Sequence, residues 1–175
     1  MSTGRIILPA LAWTPLDGSS GNAAATLDFI QSDAANDPTP RFARWAFDDS
    51  SDESICVVFT MPDDYGSSPT FTLQWYIDDT SDAVRWVGKL LAITPNNDET
   101  LEDKTYPSSV AVADAASAST AKALMECEID FSTYNDSLAA GDLAMLILTR
   151  DGDDGADTAS GDACFVGGIL EYRRA

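Results

Sequence analysis

Apolar and polar residues alternate strictly from Phe71 to Ile77, with Phe71, Leu73, Trp75 and Ile77 on one side and Thr72, Gln74 and Tyr76 on the other. A period of two over this length predicts a strand with one buried face. The polar run Asp78-Asp79-Thr80-Ser81-Asp82 follows; its side chains can hydrogen-bond their own backbone and reverse the chain. A second strand then places Val84, Trp86 and Leu90 on one face and Val87, Leu91 and Ile93 on the other. Being apolar on both faces, it is expected centrally in a sheet, or beneath a second layer or a partner. The two strands are expected to pair as a β-hairpin at the centre of the fold, with Trp75 and Trp86 on facing arms fixing its register.

The same periodicity marks most of the chain. Phe42, Arg44 and Ala46 oppose Ala43, Trp45 and Phe47, and Ile55 to Met61 is a continuous apolar run of strand-forming residues. From Lys122 to Phe131 the alternation is clean: Ala123, Met125, Cys127, Ile129 and Phe131 point inward, and Lys122, Glu126, Glu128 and Asp130 point outward. Leu143 to Leu148 predicts a buried strand closed by Arg150, and Cys164 to Tyr172 the last one; Thr26 to Ile30 and Val110 to Val112 are short strand candidates. Ser132 to Ala140 predicts one or two turns of helix, capped at Ser132 and stopped at Gly141. Pro9 and Pro15 punctuate the apolar stretch Arg5 to Leu16 and remove backbone donors, so it reads as an extended arm or edge strand. Eight to ten strands with almost no helix predict an all-β protein, an antiparallel two-sheet β-sandwich of the jelly-roll kind with an extended N-terminal arm. Residues 1–24 form the arm and a loop, and 25–175 a single sandwich domain. Its core is expected to contain Trp45, Val57, Phe59, Trp75, Trp86, Met125, Ile129, Leu146 and Ile169.

Composition narrows the function. The 175 residues carry 29 Asp plus Glu against 10 Lys plus Arg, a formal net charge of −19, and no histidine. Such a surface repels phosphate backbones and anionic lipid, so neither nucleic acid nor membrane is expected as a partner. The absence of histidine excludes Ser-His-Asp and Cys-His catalysis and histidine-bearing zinc sites. Acid pairs such as Asp63-Asp64 and Asp78-Asp79 supply the residue type for glycoside hydrolysis, but adjacent pairs arise from composition alone and no enzyme is expected. Cys56, Cys127 and Cys164 each fall in an apolar run, which reads as buried thiols in a protein folded in a cytoplasm. The start of the chain does not read as a signal peptide. No cofactor is expected, with calcium the one candidate ligand: Asp151, Asp153 and Asp162 match three positions of an EF-hand spacing. The simpler reading of that loop is a solvated acidic turn beside Arg150. Of four tryptophans, three lie in apolar strands and suit the core better than a sugar-stacking face; Trp13 lies in the arm, where it needs cover.

Several segments taken in order carry a resemblance. Trp45 to Asp49, Pro62 to Gly66 with its Asp63-Asp64-Tyr65, Gln74 to Tyr76 followed by Asp78-Asp79, and Val84 to Trp86 come first. Gly141-Asp142, Arg150-Asp151 with Asp153 and Asp154, and Gly161-Asp162 complete the series. In this order they resemble small virion structural proteins of tailed bacteriophages, over residues 45 to 172. The resemblance implies a non-enzymatic jelly-roll cement or decoration protein on the capsid surface, made in the host bacterial cytoplasm. Its partners would be itself, as a homotrimer, and the major capsid protein. The interface would comprise Ile6, Ile7, Leu8, Leu11 and Trp13 of the arm, with Val87 and Leu91 of the second face. The alternative is a carbohydrate- or calcium-binding β-sandwich module of a phage tail or fibre.

Overall fold

Most strands form where the alternation predicts them, although Asn22–Ala24, expected as loop, forms a short strand and the strand expected from Lys122 begins only at Met125; the sheets then join them in an order that local pattern does not carry. A computed structural model describes residues 2–16, 18, 22–33, 35, 38–105, 107–116 and 118–175; the loop expected before residue 25 lies partly outside these. The chain runs through β1 (Thr3–Pro9), a 3-10 turn (Ala10–Ala12), β2 (Thr14–Leu16), β3 (Asn22–Ala24), β4 (Thr26–Gln31), β5 (Arg41–Phe47) and β6 (Asp52–Thr60). It continues through β7 (Tyr65–Tyr76), β8 (Ala83–Ile93), β9 (Val110–Ala116), β10 (Met125–Asp130), β11 (Leu143–Arg150) and β12 (Ala163–Arg174). Sheet A has the order β10-β7-β12-β5-β4, with β1 also on β12; sheet B has the order β2-β6-β11-β8-β9, with β3 also on β6. All pairings are antiparallel except β3 with β6. The protein is thus an all-β, two-sheet sandwich. From β5 to β8, and again from β9 to β12, each successive strand crosses to the other sheet, which is the wrapping of a jelly roll.

The expected central hairpin does not form. β7 pairs with β10 and β12, and β8 with β11 and β9, so the link between them is an arch from one sheet to the other. Trp75 and Trp86 still meet, edge to face at 5.8 Å between ring centres, but across the sandwich instead of along one sheet. Both are fully buried. Trp86 also stacks edge-on against Phe47 at 5.1 Å, and Trp13 sits 5.0 Å from Phe165 and 5.7 Å from Phe71.

That last contact corrects the arm. Residues Arg5 to Leu16 do not stand outside the sandwich: β1 pairs with β12 from Thr3↔Arg173 to Pro9↔Gly167, and β2 lies along β6. Leu8, Ala10 and Trp13 are buried in the core, and Ile6 packs against it. The Trp45 indole donates to the Ala10 carbonyl at 2.8 Å, tying the 3-10 turn to β5. Proline tolerance explains the geometry, since Pro9 ends β1 and Pro15 lies in β2 at the edge of sheet B, where a missing donor leaves no gap in the ladder. Only Ile7 and Leu11 of the expected interface remain exposed, at 75% and 65%.

Among the expected core residues, Trp45, Val57, Trp75, Trp86, Ile129 and Leu146 are buried, and Phe59 and Met125 pack on the core from its margin. Ile169 is the exception. A register shift between Phe165 and Gly167 adds one residue to β12, which reverses the parity of everything after it. Leu170 and Tyr172 therefore point inward, while Ile169 lies beside Thr72 and Ile7 on the outer face. The helix expected after Ser132 is instead a set of turns, with Asp136 and Ser137 at positive φ.

Candidate functional site

Three places concentrate side chains beyond what the core needs. At one end of the sandwich, β11 finishes in Arg150, whose guanidinium is fully buried. It donates to both Asp157 carboxylate oxygens (Nε 3.0 Å, Nη2 2.8 Å) and to the carbonyls of Phe47, Gly161 and Ala159 at 2.7–3.0 Å. The Asp151–Asp162 loop is therefore wound around a buried cation, and is not a freely solvated turn. Asp157 also accepts from the Arg85 backbone N–H at 2.9 Å, and Asp49 from Gly161 N–H at 2.6 Å.

Beside this hub, carboxylate oxygens of Asp52, Asp151 and Asp153 lie within 4.8 Å of one another. The structure thus brings together two of the three acids picked out by spacing; the third partner is Asp52, not Asp162. The antiparallel pairing Glu53↔Arg150 is what places Asp52 against the loop. A single-chain spacing cannot reveal a ligand from another strand. Burial, then the neighbouring charges of Asp151 and Asp153, push the Asp52 carboxyl up to about 6. Three carboxylates are a hard-cation donor set, although Arg85 already neutralises Asp151 at 2.9 Å. A Cβ at position 152 would lie 2.9 Å from the Ser51 carbonyl oxygen, which is why glycine stands there.

The outer face of sheet A is a polar bed built by register. Across β10, β7, β12 and β1 it carries the rows Asp130–Thr70–Glu171–Arg5, Glu128–Thr72–Ile169–Ile7 and Glu126–Gln74–Gly167–Pro9. Arg5 pairs with Glu171, and Gln74 donates to Glu126 at 2.9 Å. Two troughs run over it. One of about 330 Å³ is lined by Ser68, Thr70, Glu128, Asp130, Ser132 and Arg173 among others; one of about 250 Å³ by Arg5, Thr72, Glu126 and Ile169. Glu171 borders both.

The outer face of sheet B is its opposite in character. Cys56, Leu91 and Ile147 form a second apolar cluster with Leu16 and Met145. Next to it a groove of about 400 Å³ is lined by Val58, Leu91, Ile93, Leu101, Leu143 and Met145, with Lys104 at one end. This is the second apolar face that the sequence shows in β8; Val87, half-buried, lies on it too.

The acid pairs considered for hydrolysis serve other ends. Asp64 accepts from the Tyr172 hydroxyl at 2.7 Å and pairs with Arg174 at 3.1 Å, and Asp78 pairs with Lys122 at 3.5 Å. Asp79 takes the backbone N–H groups of Ser81 and Ser160, which hold it down at about 2. The three thiols are free; Cys56 and Cys164 are buried, and burial pushes Cys127 up to about 12. All four tryptophans lie inside, at 3% exposure or less, so none can stack a sugar.

No protein-family model matches the chain, and no curated protein is similar to it in sequence. Among solved structures, it is similar to the CBM22-1 xylan-binding domain of Paenibacillus barcinonensis Xyn10C, at 10% identity over 97% of this chain and 95% of that one, TM-score 0.49. It is also similar to the K3 cleaved adhesin domain of Lys-gingipain from Porphyromonas gingivalis, at 9% identity over 95% and 98%, TM-score 0.49. A family 11 carbohydrate-binding module from Clostridium thermocellum, solved with a mixed-linked tetrasaccharide, gives 12% identity over 97% and 96%, TM-score 0.46. The two-sheet architecture rests on the strand pairing itself, and the ligands of those proteins are theirs.

Proposed function

We propose that the chain is a non-catalytic binding module that holds an extended glycan across the outer face of sheet A. The observation that carries this reading is the three-row bed of Glu126, Glu128, Asp130, Thr70, Thr72, Gln74 and Glu171 on neighbouring strands. Sugar hydroxyls are donors and acceptors at once, and carboxylates, amide and hydroxyl groups repeating at a strand spacing of about 4.8 Å offer them complementary partners. Ile7 and Ile169, adjacent in the middle row, supply an apolar patch for the C–H face of a ring. Four carboxylates against Arg5 and Arg173 favour neutral or amino sugars and repel uronic-acid chains. Glu126, Glu128 and Asp130 are open to solvent, where they can meet a chain laid across the face. Calcium at Asp52, Asp151 and Asp153 would brace the loop end of the sandwich and stay apart from the glycan. A glycan array followed by titration calorimetry tests the reading. Neutral or amino-sugar polymers should bind, and the double variant Glu128→Ala, Asp130→Ala should lose at least tenfold in affinity with its melting temperature unchanged. No binding to such a polymer at millimolar concentration overturns the reading.

A second reading is favoured by the apolar outer face of sheet B. A virion cement or decoration protein covers such a face when it sits on a capsid, with the major capsid protein as its partner. Mass spectrometry of purified particles would find the chain in stoichiometric amount with the shell; its absence from particles rules this reading out.

A further inference from the structure

The groove on the outer face of sheet B combines two features that together describe an occupant. Its walls are apolar, and Val58 and Leu101 are left 50% and 69% exposed, more than a core-forming strand or a solvated loop requires. Its end is acidic. Lys104, which lines the groove, also borders a second depression of about 310 Å³ together with Glu99, Asp103 and Asp136. Lys104 Nζ lies 3.0 Å from both Glu99 and Asp136, so that depression holds three carboxylates against one ammonium. The segment presenting Leu101 is itself rich in acid, with Asp98, Glu99, Glu102 and Asp103 around it.

We propose that this groove is a docking site for an apolar segment of another protein that is flanked by Lys or Arg. The apolar side chains would fill the space between Val58, Leu91, Ile93 and Met145, and the flanking cation would take the depression at Glu99, Asp103 and Asp136. A second copy of this chain fits poorly. Its net charge of −19 opposes self-association, and Arg5, Arg44, Arg85, Lys104, Lys122, Arg150 and Arg174 are already paired with its own acids. An anionic lipid surface is repelled for the same reason. The proposal is independent of the glycan reading, which concerns the opposite sheet.

The test uses the full chain and two fluorescent peptides that share a central run of leucine and valine, one flanked by lysines and the other by glutamates. The lysine-flanked peptide should bind at least tenfold more tightly, and the difference should shrink on going from 20 mM to 500 mM salt. Val58→Glu and Leu101→Asn, both at exposed positions, should each abolish binding with an unchanged melting temperature. Glu99→Gln with Asp103→Asn should remove the preference for lysine flanks. Equal affinity for both peptides, or binding untouched by Val58→Glu, overturns the proposal. It is equally overturned if the protein dimerises through this face in a Val58-dependent way, or if it binds vesicles of phosphatidylglycerol.

Discussion

Arg150 shows best how one side chain is decided by its surroundings. By its position it reads as the charge that closes a strand, and it is in fact a fully buried ion held by the Asp157 carboxylate and by backbone carbonyls at the end of β5 and in the loop before β12. Removing its counter-charge strands a cation in the core. Asp157→Asn should therefore cost about 3–5 kcal/mol in denaturant unfolding, and a loss below about 1 kcal/mol would show that the loop rearranges to solvate the guanidinium. Asp52 acts in the opposite sense. Its folded value of about 6 lies above the ordinary 3.8, so the folded state holds that proton more tightly than the unfolded chain. The resulting destabilisation is absent below about pH 4, grows between 3.8 and 6, and is complete above. Asp52→Asn should melt higher than the wild type at pH 7.5, with the gap closing at pH 4. A gap that is constant with pH would mean that neither burial nor the neighbouring carboxylates raise this group in the folded state.

At the scale of elements, the N-terminal strand and the arch carry most of the structural consequence. β1 supplies Leu8, and the turn after it Ala10 and Trp13, to the core. A chain lacking residues 1–13 should therefore fail to fold, giving no cooperative melt, because the loss of the Trp13 side chain alone is worth about 3–5 kcal/mol. A well-folded truncated protein would mean that β12 can do without β1. The arch places Trp75 and Trp86 in contact from opposite sheets, and neither buried indole N–H has a hydrogen-bond partner. Replacement by Phe keeps an aromatic ring, though a smaller one, and removes that unsatisfied donor. Trp86→Phe should thus be far milder than Trp86→Ala in thermal melts, and a Phe variant as damaging as Ala would place the energy in the indole's size alone.

For the whole molecule, net charge dominates the response to conditions. At −19, like charges crowd a single sandwich, and the ion pairs given above offset only part of that repulsion. Raising salt from 20 mM to 500 mM shortens the screening length severalfold, so the melting temperature should rise with simple monovalent salt. A melting point that falls with salt would show that the pairs around Arg85 and Lys104 outweigh the general repulsion. The two faces divide the functional surface: sheet A offers polar groups in register, and sheet B an apolar groove with an acidic end.

The amino-acid sequence alone carries most of the strands, their one-sided faces, the all-β class and the exclusion of histidine chemistry, because a period of two and a residue count are local properties. It also showed that β8 is apolar on both faces, which is the signal for the groove on sheet B. Tertiary structure alone decided which strands pair. The six residues from Ile77 to Asp82 suit a hairpin or an arch equally. The choice fell to the ladders, since β10 and β12 take up the donors of β7 while β9 and β11 take up those of β8. The same long-range choice drew Trp13 inside, turned Ile169 outward through the bulge, and set Asp52 against Asp151 and Asp153. Residues far apart in the chain became neighbours through the register of other strands, and no pattern within one strand records that.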